Sequence, residues 1–285
     1  MKYGLPYKGS KSSIAKWVVD TLPSSETFVD LFAGGCAVTH AAILSGKWKT
    51  FIANDISGST MLFQDAITGE YENLSTVLTR NEFFASNDLM LKLLYSFGND
   101  SRSYLWGGYY EKAKIPASKM LSAPSVHERR MYYKEFIKIM CEYIGNVMAD
   151  KQDDRTANMK NVESLQRLER LQGLQGLQGL ERLQVMMADY RNVNLPANAT
   201  VYADPPYRNT GEHYGGFDFD AFDDWLMTVD HPVYVSEFDA PKGCVCIAER
   251  ERFEHMSAYT TGKKTERIFV QERFAEEVKI ENLNS

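Results

Sequence analysis

The residues with the clearest chemical potential are Asp204-Pro205-Pro206-Tyr207, which directly follow the apolar run Val201-Tyr202-Ala203. Two consecutive prolines fix φ and donate no hydrogen bonds, so the tetrapeptide is stiff and extended. It presents one carboxylate, the main-chain carbonyl of Pro205 and one aromatic face. That set suits a planar group carrying an NH2: two acceptors take its two protons while the ring stacks. A plain exit from a strand into a turn could produce the same four residues, so the string needs its context.

Two further constellations supply context. Asp30-Leu31-Phe32-Ala33-Gly34-Gly35-Cys36 follows a short apolar run, and Asp55 ends the next one, Lys49 to Asn54. In a doubly wound sheet the first turn lies against a nucleoside-containing ligand, and an acid after the second strand accepts hydrogen bonds from both ribose hydroxyls. The turn is neither GxGxxG nor followed by a Walker lysine, which favours a nucleoside cofactor without a pyrophosphate. The third constellation is Tyr7-Lys8-Gly9-Ser10-Lys11, an aromatic and a lysine around a Gly-Ser turn that suit a ligand's ring and carboxylate.

These groups must be positioned by strands, and the strand candidates are Glu26 to Leu31, Lys49 to Asp55, Thr200 to Ala203, Pro232 to Ser236, Gly243 to Ala248 and Arg267 to Glu272. Apolar runs that end in turn residues and alternate with helical stretches predict an α/β domain with a mostly parallel sheet. Between about residues 59 and 164 the pattern is instead helical, broken by the Gly-, Ser- and aromatic-rich piece SFGNDSRSYLWGGYY. This is an insert. Residues 165–184 carry leucine at every third position, a period that circles a helix rather than forming a stripe. The repeat is assigned no role.

The chain has 285 residues, 44% of them hydrophobic and 25% charged, which is enough for a sizeable core and excludes disorder as the main state. No stretch is apolar enough for a membrane span, and the N-terminus lacks a signal core, so a cytoplasmic protein with no membrane partner is expected. The cysteines (Cys36, Cys141, Cys244, Cys246) form no CxxC pair and are read as reduced and non-ligating, with no metal expected. Net charge is −6, yet Lys92 to Lys138 holds nine basic residues against four acids, a zone of +5 on a remainder of −11. Such a zone can meet phosphates; the alternative is a solvated helix surface.

Taken in order, PYKGSK, VDLFAGG, ANDIS and ADPPY resemble the adenine-specific DNA methyltransferases of the Dam type (D12 class), over most of residues 5 to 275. The resemblance implies a Rossmann-like class I AdoMet-dependent methyltransferase sheet, built from 1–58 together with 185–285, with 59–164 as an inserted, mainly helical target-recognition region. It implies S-adenosyl-L-methionine as cofactor, held by Tyr7, Lys11, Asp30, Phe32, Gly34, Asp55 and Asp204. Catalysis on N6 of an adenine flipped out of double-stranded DNA then falls to Asp204, Pro205, Pro206 and Tyr207. In the loop and the helical piece after it, Arg102, Tyr104, Arg129, Arg130 and Lys134 become the expected DNA contacts, lying on the same side as Asp204. The expected setting is a monomer in a bacterial or phage-infected cell. Two departures stand out: Cys36 replaces the last glycine of an FxGxG-like turn, and Pro6 stands where enzymes that modify GATC often carry lysine. Transfer to cytosine N4 uses the same amino geometry, but such enzymes more often carry Ser at the position of Asp204. A catalytically silent AdoMet- or DNA-binding module is the reading from another class. The intact Tyr7, Lys11, Asp55 and DPPY speak against it.

Overall fold

The computed structural model describes residues 2–71, 78–105, 108–148, 174, 180–208, 216–255 and 261–276. In chain order the main elements are α1 (Ala15–Thr21), β1 (Thr27–Asp30), α2 (Ala37–Ser45), β2 (Thr50–Asn54), α3 (Ser59–Thr68), α4 (Arg80–Ala85), α5 (Leu89–Leu94), α6 (Gly108–Ser122), α7 (Val126–Met148), β3 (Leu183–Met186), β4 (Ala199–Ala203), α8 (Phe219–Thr228), β5 (Val233–Glu237), β6 (Cys244–His255) and β7 (Thr261–Gln271). The chain divides into two compact units. One comprises 1–5, 10–64 and 177–285; the other comprises 6–9 and 65–176.

The first unit is built on a seven-stranded sheet of order β3-β2-β1-β4-β5-β7-β6. Strands β3, β2, β1, β4 and β5 pair in parallel, and β7 runs antiparallel between β5 and β6. β1 reads Thr-Phe-Val-Asp with all four residues buried, as a strand covered on both faces must be. Its neighbour α2 buries seven of its nine residues, so it is covered nearly all round and shows no single apolar stripe. α8 shows the opposite pattern. Asp218 caps it by accepting from the amide of Ala221 (2.9 Å), and Phe222 and Leu226 turn one stripe to the core.

From β1 the chain moves outward through β2 to β3, then returns to the other side of β1 as β4. That reversal opens a crevice above the carboxyl ends of β1 and β4, the place where open α/β sheets bind ligands. Asp30 ends β1, and Asp204 follows β4 at once.

Two strand expectations need correction. Leu183, the last leucine of the repeat, opens β3, which pairs with β2 from Phe51↔Leu183 to Asn54↔Met186. Its short sequence, LQVM, hid inside the leucine period. The rest of the repeat, apart from Leu174 and residues 180–182, lies outside the described residues. The terminal pair is also far longer than its apolar cores, because β6 and β7 extend through charged residues paired across the ladder, Arg250 with Glu266 and Glu249 with Arg267.

The second unit carries α4 to α7. Tyr104 was expected to contact DNA and does not face solvent: it is 7% exposed, its hydroxyl donates to the carbonyl of Leu78 (2.6 Å), and its ring packs on Phe83 with Arg80 above it. The expectation came from the resemblance; the loop around Tyr104 is internally tied. Asp100 accepts from the amides of Arg102 and Ser103 and from the Ser103 hydroxyl, each at 2.8 Å. Arg102 itself is exposed, and among the described residues its guanidinium forms no ion pair. Arg129, Arg130 and Lys134 are exposed on α7. Among the described residues no helix is long and apolar enough to cross a membrane, and no group of acids, His and Cys is arranged to hold a metal ion.

Candidate active site

The turn after β1 is held from three sides. Asn54, fully buried at the end of β2, donates to the carbonyls of Leu31 and Ala188 and accepts from the amide of Ala188, each at 3.0 Å, so one side chain ties the ends of β1 and β2 to the segment after β3. The Gly34 peptide is gripped at both ends. Its N–H donates to Asp55 (2.8 Å), and its carbonyl accepts from Ser59 (2.6 Å). The Leu5 amide then donates to Gly35 (2.6 Å), while the Gly4 amide donates to His40 (3.0 Å). Gly4 has φ +63°, and a Cβ there would lie 2.3 Å from the Gly35 carbonyl oxygen. Cys36, in the place of the missing glycine, sits at φ 57° and caps α2 in the left-handed region that glycine adopts at least cost. The backbone path of the motif is therefore kept without its last glycine.

Asp55 shows what is available for a ligand. Its carboxylate has about four acceptor positions; Ser57 takes two through its amide and hydroxyl, and Gly34 takes a third. One remains. Asp55 can accept a single ribose hydroxyl rather than both, since the rest of its capacity holds the turn. Beside it Ile56 and Met187 are 70% and 67% exposed, an apolar shelf at the ends of β2 and β3 that the sequence did not single out. An exposed large apolar residue directly after a strand-ending acid was the available signal. These residues fit a nucleoside: one free acceptor for a hydroxyl, apolar side chains for a base.

Asp30 and Phe32 act from beneath. Asp30 is 1% exposed and accepts from the Thr39 hydroxyl (2.8 Å), bracing α2 against β1. Phe32 is half-buried, in a cluster with Tyr190, Phe217 and Phe222. Burial raises the Asp30 carboxyl to about 7, and the negative charges of Asp204 and Asp55 push it the same way. The turn and the tetrapeptide thus lie within electrostatic reach of one another.

An acid that binds its proton more tightly when folded stabilises the fold most at low pH, and this contribution is lost as pH rises from about 4 through about 7. Asp30→Asn removes that loss. Its melting temperature relative to the wild type is expected to climb between about pH 4 and pH 7 and to level off above, read by thermal denaturation. A constant offset would contradict the assignment.

At the end of β4, Lys11 meets the tetrapeptide. Its ammonium is 2.9 Å from Asp204 Oδ1 and 4.4 Å from the centre of the Tyr207 ring, in a residue only 8% exposed. Ser10 caps the single turn that carries Lys11 by accepting from the Ser12 amide (3.3 Å). Burial raises the Asp204 carboxyl, and the Lys11 charge draws it part of the way back. The Tyr207 hydroxyl donates to Glu266 on β7 (2.9 Å), and its ring meets Phe238 edge-on at 4.6 Å. Burial, with the charges of Asp204 and Glu266, pushes the Tyr207 phenol well up. Pro205 is buried, while Pro206 is half-buried.

The structure thus joins Lys11, Asp204 and Tyr207, and separately Gly34 with Asp55. Tyr7, half-buried, falls with the second unit, as do Arg102, Arg129, Arg130 and Lys134.

A parallel sheet that reverses at β1/β4, an antiparallel β7 inserted beside β5, a glycine turn answered by Asp55 and a tetrapeptide at the switch point define a Rossmann-like class I AdoMet-dependent methyltransferase. Residues 7–226 match the model of the D12 class N6 adenine-specific DNA methyltransferases, and the chain belongs to that family. Among solved structures it is similar to the tRNA m1G37 methyltransferase of M. jannaschii, with TM-score 0.29 and 11% identity, over 91% of this chain and 46% of that one. The chain thus spans about half the length of that protein, a likeness too distant to bear on its activity. No curated protein matches the chain.

Proposed function

We propose that this protein transfers the AdoMet methyl group to N6 of an adenine flipped out of duplex DNA. The observation that carries the reading is Lys11 paired with Asp204 and set over Tyr207, at the strand end where the sheet reverses. When bound, AdoMet supplies an electrophilic methyl on a sulfonium. Asp55, Ile56 and Met187 would hold its nucleoside, and Lys11 would supply a positive charge for its carboxylate. The amino nitrogen of adenine is a poor nucleophile, because its lone pair is delocalised into the ring. Asp204 and the Pro205 carbonyl accept its two N–H bonds and favour a pyramidal nitrogen, so orientation and a fixed negative charge provide the acceleration. Lys11 favours the ionised form of Asp204, and burial fits that carboxylate to receive the proton the amino group sheds. Tyr207 stacks on the base, which is out of reach inside the duplex. Incubation with methyl-labelled AdoMet and DNA, followed by nucleoside analysis, tests the reading; label in N4-methylcytosine, or none at all, would overturn it.

The second unit reads the target. Arg102 is free to reach a guanine with two donors, whereas Arg129, Arg130 and Lys134 lie along one exposed helix suited to phosphates. Arg102→Ala is expected to relax preference at one base pair by about 1–3 kcal/mol, and Arg130→Ala to weaken all DNA alike and flatten the salt dependence. Methylation mapped over a random-sequence library distinguishes them, and an unchanged target profile for the Arg102 variant would refute its role.

A further inference from the structure

We infer that Glu237 is a positioning residue for this methyl transfer, fixing the catalytic tetrapeptide from the end of the neighbouring strand. The inference rests on the function proposed above. Glu237 is the last residue of β5 and is 2% exposed. Both of its carboxylate oxygens are spent on main-chain donors: Oε1 accepts from the Phe238 amide (2.8 Å) and Oε2 from the Arg208 amide (3.1 Å). Arg208 directly follows Tyr207, so this bond pins the chain where it leaves the tetrapeptide. The Arg208 guanidinium is engaged elsewhere, with Asp223 at 2.5 Å and over the Phe219 ring at 5.0 Å. Phe238, held by the other oxygen, is the residue that meets the Tyr207 ring edge-on, and its carbonyl accepts from Arg267 (2.6 Å). One buried carboxylate therefore sets both the departure of the Tyr207 backbone and the wall beside its ring.

Burying an acid is costly, and among the described residues Glu237 has no ion-pair partner to offset it. The charges that act on it are Asp204 and Arg208 on the tetrapeptide segment, and Arg267 on β7 is its ladder partner; beyond these, Asp223 on α8 holds Arg208, Glu266 on β7 holds Tyr207, and Lys264 on β7 lies over the Phe238 ring. Burial raises the carboxyl to about 7, with Asp204 adding to the rise. A neutral glutamine would avoid that cost, but the two amides bond to different oxygens, so in the same place its NH2 would face one of them. An acid kept here against its desolvation cost fits the needs of the loop it holds better than those of the core.

The test uses Glu237→Gln in the full chain. kcat for adenine methylation is expected to fall about 10- to 100-fold, as when the support of a reacting group is lost, with AdoMet affinity within about twofold of the wild type. In the wild-type protein the amide protons of Arg208 and Phe238 should shift with a midpoint near pH 7 by NMR, and in the variant they should not. A variant that turns over at the wild-type rate, or amides that titrate equally in both proteins, would overturn the inference and leave the proposed function standing. A drop in melting temperature and AdoMet affinity together with kcat would overturn it as well, since that marks a merely structural acid. A wild-type protein that leaves DNA unmethylated defeats the functional reading itself, and is recognised separately because no variant is needed to see it.

Discussion

Asp204→Asn is expected to lower methyl transfer by at least about 10²–10³-fold, the loss seen when one preorganised electrostatic group is removed from a transition state. The amide keeps one oxygen but loses the charge that faces the nitrogen as it becomes positive. In the proposed reading Asp55, Ile56 and Met187 hold the AdoMet nucleoside and are untouched by this substitution, so AdoMet binding should persist. Asp204→Ala goes further and falls to background, but it also strands Lys11, whose ammonium lies 2.9 Å from Asp204 in a residue 8% exposed. Breaking a buried pair by deleting one partner costs about 3–5 kcal/mol. The two variants therefore separate chemistry from stability: alanine lowers both, asparagine mainly the rate. Single-turnover rates beside thermal melts show the split, and near-wild-type turnover by the asparagine variant would contradict the role of Asp204.

Gly4→Ala should have a large effect on stability, at a residue far in sequence from the turn it supports. The new Cβ would meet only backbone: the Gly35 oxygen at 2.3 Å, and the Ala37 nitrogen and Cα at 2.6 and 2.7 Å. No rotamer relieves this. Left-handed strain and overpacking together cost about 2–5 kcal/mol. The strain is transmitted to the Gly35 peptide and thence to the Gly34 bond with Asp55, so AdoMet affinity should fall too. Gly46→Ala is the control, because it shares a positive φ (+71°) but has nothing within 4 Å; it should cost only about 1 kcal/mol. Equal losses in urea unfolding would show that the close approach of residue 4 to the turn is not what its glycine serves.

What was legible in the chain follows from how local each signal is. The apolar run into Asp30, the glycine pair, Asp55 and the tetrapeptide after Ala203 are each written within a few residues, and the parallel sheet brings them to one edge without further information. Features that depend on distant partners were not legible. Gly4 gains its meaning from Gly35, and Glu237 and Glu266 look like ordinary polar strand residues until β5 and β7 place them beside Arg208 and Tyr207. Asn54 stands inside the ANDIS run, yet its role spans β1, β2 and the segment after β3, and β3 itself was hidden by the leucine period. Tyr104 failed in the opposite direction. The resemblance implied a DNA contact, but Asp100 closes the loop and the ring turns inward onto Phe83. The limited capacity of Asp55 also depends on structure, since only the folded chain shows how many of its acceptor positions are already used.

The most direct test of the central claim is nucleoside analysis of unmethylated duplex DNA treated with the protein and methyl-labelled AdoMet, run beside Asp204→Asn. The account predicts label in N6-methyladenine with the wild type and about 10²–10³-fold less with the variant, at matched AdoMet occupancy. Label in N4-methylcytosine, or equal N6-methyladenine from both proteins, would contradict it.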